Sequence, residues 1–171
     1  MNPNTFRKFK WFWAWQDEQE ETWLSEMAEQ GFHLERITLP GFFYFQIGEP
    51  ESFIYRLDYQ ALRSKDKESY LQLFADAGWE HVGDMSSWVI FQRKVQPGDT
   101  PDIYSDVESK IGKYQRIITY LVIFLPILII FMTNSSNRYG WLSFVMALFI
   151  LLYAYTMIQL FRRISQLKTK R

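Results

Sequence analysis

Residues 23–32, WLSEMAEQGF, and residues 70–79, YLQLFADAGW, decide the fold between them. Trp23 falls on Tyr70, Leu24 on Leu71, Met27 on Phe74, Ala28 on Ala75, Gly31 on Gly78 and Phe32 on Trp79, all at one offset of 47 residues. Each stretch carries apolar residues at helical spacing and a glycine where a helix ends. An offset held across helix face, glycine and following strand predicts a duplicated unit rather than shared composition.

The flanks extend the pattern. Before the first helix, FRKFKWFWAW (6–15) alternates, with Phe9, Trp11, Trp13 and Trp15 on one side and Lys8, Lys10, Phe12 and Ala14 on the other, which predicts a strand. Asp17 is placed to cap the helix, and Glu18, Glu20 and Glu21 suit its positive end. After Gly31, strands are predicted over 32–38 and 42–47, turned by Leu39, Pro40 and Gly41. In the second half FIYRLDYQ (53–60) alternates, residues 64–78 predict a helix capped by Ser64, and WEHV (79–82) and WVIFQRK (88–94) predict two strands. The expected fold is an α+β domain over residues 1–95, built of duplicated β-α-β-β units (about 6–48 and 53–95). Its expected form is one antiparallel sheet with two helices on one face.

The remainder has another character. Residues 96–104 read as a linker, and Ser105 with Glu108 forms a capping box that opens a juxtamembrane helix over 105–116. No charge occurs from Ile117 to Asn137 or from Tyr139 to Phe161, and at about 1.5 Å per residue each run can cross a hydrocarbon core of about 30 Å. The expectation is a transmembrane hairpin: spans at 117–133 and 141–161, an external loop at 134–140 and a basic tail at 162–171. Lys110, Lys113 and Arg116 precede the first span, and Arg162, Arg163, Lys168, Lys170 and Arg171 follow the second. This places both termini in the cytoplasm of a multi-pass cell-membrane protein.

Chemistry is narrowed mainly by exclusion. Nineteen basic and nineteen acidic residues cancel, so no field draws the chain to nucleic acid. The chain has no cysteine and none of the common catalytic motifs, so no catalytic residue, enzyme activity or cofactor is expected. His33 and His81 lack a third ligand, and no metal site is expected. Arg56 and Asp58 share a strand face predicted to lie away from the helices. With Lys10, Phe12 and Tyr44 they form either an aromatic ligand groove with fixed charges or, more plainly, part of a solvated sheet bearing a cross-strand ion pair. Aromatics at 42–45 fall on both sides of one strand, so the second face of the sheet needs an explanation.

Residues 10–34 (KWFWAWQDEQEETWLSEMAEQGFHL), 53–60, 70–82 (YLQLFADAGWEHV) and 102–117 (DIYSDVESKIGKYQRI) together resemble a family of bacterial membrane proteins, domain of unknown function 2812. The resemblance implies a cytosolic domain followed by membrane helices, in a family often encoded beside or fused to PadR-type transcriptional regulators. It implies no activity and no site residues. The duplicated units are also similar in arrangement to the GyrI-like small-molecule-binding domains. The expected function is a non-enzymatic, membrane-anchored accessory or sensor protein with the lipid bilayer as one partner. Its cytosolic domain would bind an amphipathic small molecule or a cytosolic regulatory protein, with a link to transcriptional regulation. The alternative is a structural module that recruits such a regulator to the membrane.

Overall fold

The computed structural model describes residues 4–60, 64–96, 107–136 and 140–169. Most of the expected linker, Ser105 of the capping box, the Ser64 side chain, residues 137–139 of the loop and the end of the tail lie outside the described residues. The chain divides into two compact units, Met1–Ser105 and Asp106–Arg171.

In the first unit β1 (Thr5–Phe9), α1 (Asp17–Glu29), β2 (Phe32–Thr38) and β3 (Phe42–Ile47) are followed by β4 (Phe53–Tyr59), α2 (Ser64–Asp76), β5 (Glu80–Met85) and β6 (Trp88–Lys94). The α+β class stands, but the strands form two antiparallel three-stranded sheets, ordered β1-β3-β2 and β4-β6-β5, instead of one sheet. Strands β2 and β5 lie beside each other without sharing a ladder. Each half has the same strand order. Each also carries a bulge on its second strand, between Leu34 and Arg36 and between His81 and Gly83.

The helices do not share one face. Trp23, Leu24, Met27 and Ala28 of α1 pack with Leu34, Ile37, Phe43 and Phe45 of the first sheet and with Tyr55, Leu57 and Ile90 of the second. Tyr70, Leu71 and Phe74 of α2 pack on Ile54, Trp79, Val89 and Phe91, which belong to the other side of the second sheet. The reason lies in β6: Val89, Ile90 and Phe91 are consecutive and all buried, so both faces of that sheet demand cover.

Strand β1 is shorter than its alternation suggests. Its partner β3 begins at Phe42, and the last rung is Lys10 N–H to Gly41 O at 3.0 Å. Beyond that point the backbone has no ladder to join and turns into α1, Gln16 N–H bonding to Trp13 O at 2.8 Å. Asp17 is the first residue of the helix rather than its cap. It is buried, as are Glu20 and Glu21.

Tyr55 is fully buried, and its hydroxyl meets no partner at hydrogen-bond geometry. Burial pushes its pKa up to about 12, opposed in part by the nearby Leu34 main chain. Because the folded pKa lies above the ordinary value, this contribution to stability is intact below about pH 10 and is lost as pH rises through 12. Tyr55→Phe is expected to be at least as stable as the parent at pH 8, since it removes an unsatisfied polar atom. Between pH 10 and 12 the parent should lose on the order of 2–3 kcal/mol more than the variant in denaturant unfolding. Parallel pH profiles would contradict this.

The second unit comprises α3 (Val107–Ser136) and α4 (Gly140–Thr169), which pack on each other. The expected juxtamembrane helix and first span are one continuous helix containing Pro126, and most of the basic tail is helical. Two stretches, Lys110–Ile130 and Phe144–Thr169, are long and apolar enough to cross a membrane, with mean hydropathies of 1.6 and 2.1. Arg163 donates from Nε to the Tyr114 hydroxyl at 3.3 Å.

Candidate functional site

The residues proposed from sequence as one site are dispersed to three places. Lys10 and Phe12 sit by α1: the Lys10 ammonium lies 4.4 Å from the Trp23 ring centroid and 4.9 Å from that of Phe12, which in turn contacts Trp23 and Phe43. Burial, then the neighbouring charge of Lys8, holds the Lys10 pKa below its ordinary value against the pull of Glu26 and Glu20. Arg56 and Asp58 lie on the side of the second sheet that α2 covers, contrary to the expectation of an uncovered face. The Arg56 guanidinium stacks over Phe74 at 5.5 Å, and Asp58 Oδ2 accepts from the Tyr70 hydroxyl at 2.8 Å. Of the set, Tyr44 alone belongs to a sheet face that no described helix of the first unit covers.

That face is built from the register of the first sheet. Tyr44 stands opposite Arg7 on one side and Arg36 on the other, and Phe42 stands opposite Phe9 and Thr38. Simple alternation from the buried Leu34 would turn Arg36 inward. The bulge at Glu35 shifts the phase by one residue and brings Arg36 over Tyr44 instead. The Arg36 guanidinium lies 3.9 Å from the Tyr44 ring centroid, and that of Arg7 lies 5.1 Å from Phe42. Arg7, close enough to hydrogen-bond the Tyr44 hydroxyl, is the main reason that its pKa lies below the ordinary value, with Thr38 next. Both arginines are exposed, and among the described residues neither meets a carboxylate in an ion pair. Within the first unit no described helix packs on this face, because α1 meets the opposite one through Phe43 and Phe45.

Two guanidinium groups bracketing a phenol and two phenylalanine rings make a surface that can hold an anion and stack an apolar group beside it. Sequence reasoning found Tyr44 but missed Arg7 and Arg36. The register that gathers them depends on pairing between distant segments and on the bulge.

The histidines have structural roles. His33 Nε2 lies 2.8 Å from the Glu49 carbonyl oxygen, and His81 Nε2 lies 3.1 Å from Asp84 Oδ1, while Lys67 pairs with the other Asp84 oxygen. Burial raises the Asp84 pKa, but hydrogen bonds from Lys67 and His81 outweigh it and leave the carboxyl below its ordinary value. Among the described residues no three histidine or carboxylate side chains are arranged to hold a metal ion.

No curated protein and no solved structure matches the chain. A family model described as Protein of unknown function (DUF2812) matches residues 16–126, which take in α1 through the first part of α3. The chain therefore belongs to the DUF2812 family.

Proposed function

We propose that this protein is a membrane-anchored, non-enzymatic accessory or sensor protein whose first unit binds an amphipathic anion on the outer face of the first sheet. The observation that carries this reading is the convergence of Arg7 and Arg36 on Tyr44, without an ion-pairing carboxylate among the described residues, on a face that no described helix of the unit covers. Guanidinium groups and aromatic rings bind and orient; at neutral pH they do not shuttle protons, which favours binding over catalysis. Anchoring is supported by the second unit. Val122, Ile123, Phe124, Ile127, Leu148, Phe149 and Leu151 are among many large apolar side chains exposed along its two helices, and a bilayer supplies the apolar surroundings they lack. The flanking bases favour both termini in the cytoplasm.

The test is equilibrium dialysis of the full chain in phosphatidylcholine nanodiscs against naphthalene-2-sulfonate, with empty discs as blank. The sulfonate should bind, a naphthylmethylammonium control should not, and the double variant Arg7→Gln/Arg36→Gln should lose affinity by about tenfold or more. Equal retention of both probes, or an unchanged affinity in the variant, would defeat the reading.

A further inference from the structure

The end of the first sheet at which β1 finishes and β2 turns into β3 has an unusual surface. Lys10 N–H bonds to Gly41 O at 3.0 Å, and Gly41 N–H bonds to Thr38 O at 3.0 Å, so the residues just after β1 and the Leu39–Gly41 turn are held side by side. From this end Leu39 is 70% exposed, Phe9 55% and Trp11 52%. Trp11 meets Trp13 edge-on at 5.6 Å, and Trp13 stacks on Trp15 at 5.3 Å, so the aromatic surface continues toward α1. On the outer face beside it stand the exposed Arg7, two residues before Phe9, and Arg36, two residues before Thr38.

We infer that this tip docks on the surface of an anionic bilayer, with Phe9, Trp11 and Leu39 entering the interfacial layer and Arg7 and Arg36 meeting lipid phosphates. Aromatic and aliphatic side chains ringed by cations are the composition that such an interface retains. Of the four acids that follow the tryptophans, Asp17, Glu20 and Glu21 are buried and Glu18 is half-buried, which limits the negative charge turned toward the lipid. On the membrane-anchored reading, tethering keeps the tip at high local concentration over the bilayer. The inference concerns the tip of the sheet and goes beyond anion binding at Tyr44.

The chain has no cysteine, so Leu39→Cys provides a single attachment point for an environment-sensitive nitrobenzoxadiazole label. Leu73→Cys, at a position 67% exposed on α2, is the control. The full chain is placed in nanodiscs of phosphatidylcholine alone or of an equal mixture with phosphatidylglycerol, each with and without headgroup spin-labelled lipid. The Leu39 label should shift to the blue and be quenched at least about twofold more in anionic than in neutral discs, and Phe9→Ser/Trp11→Ser should abolish the difference. Quenching no greater than at Leu73, or independent of lipid charge, overturns the inference. So does a blue shift without quenching by lipid, which would put a second protein surface on the tip. The label does not report on sulfonate binding at Tyr44, so the two proposals fail separately.

Discussion

Replacing Gly31 by alanine is expected to destabilise the first unit by about 2–5 kcal/mol, whereas the same change at Gly78 should cost only about 1–2 kcal/mol. Both glycines follow a helix and both have positive φ, +83° and +80°, so both variants carry the left-handed penalty. The surroundings differ. A Cβ on Gly31 would lie 2.5 Å from Gly48 O, a main-chain atom, and the Gly48 N–H is itself bonded to Gly31 O at 2.9 Å. The neighbour cannot retreat without giving up that bond. A Cβ on Gly78 would find only Arg93 Cδ, at 3.9 Å, an ordinary contact. Hydrogen exchange of peptides from the first unit, followed by mass spectrometry, reads this separately from the apolar helices. Equal loss of protection in the two variants would show that the Gly48 contact carries no energy.

The sequence pattern revealed the elements better than their assembly. Helix α1 and helix α2 begin at Asp17 and Ser64 and end at Glu29 and Asp76, the same offset that Gly31 and Gly78 keep. These boundaries are local: a helical stripe ending in a glycine needs no knowledge of the rest of the chain. The length of β1 was illegible because alternation persists through Trp15 although the partner strand stops opposite Phe9. The division into two sheets was half legible. The consecutive Val89, Ile90 and Phe91 announce a strand covered on both sides, but not which helix covers which side.

The candidate site was legible only through Tyr44, the one residue of the proposed set on a face that no described helix of the first unit covers. Arg56 and Asp58 read as solvent-facing because charge usually marks a wet surface. Here Phe74 and Trp79 stack on the guanidinium, and Tyr70 satisfies the carboxylate, so the pair stays beneath a helix. Arg36 was hidden by the bulge, which reverses the face assignment of every later residue in β2.

Glu21→Ala is expected to cost about 2–3 kcal/mol, with Glu21→Gln costing less than half of that and Glu68→Ala staying within about 0.5 kcal/mol. Glu21 and Glu68 are the same residue type at corresponding places in the two helices, yet Glu21 is 1% exposed and Glu68 lies in solvent. The difference comes from what α1 faces. Strand β4 is an edge of its sheet, and an edge strand turns a row of main-chain amides away from the ladder. Glu21 Oε1 accepts from Leu57 N–H of that strand at 2.7 Å, so one carboxylate of the first half satisfies a buried amide of the second. Truncation leaves that amide in the core, where it has lost both water and its charged acceptor. Glutamine keeps an oxygen at the same reach and should restore most of the loss. Hydrogen exchange at Leu57 provides the measurement: its protection should fall in the alanine variant and largely return in the glutamine variant. Unchanged protection in the alanine variant would mean that the bond contributes nothing to joining the halves.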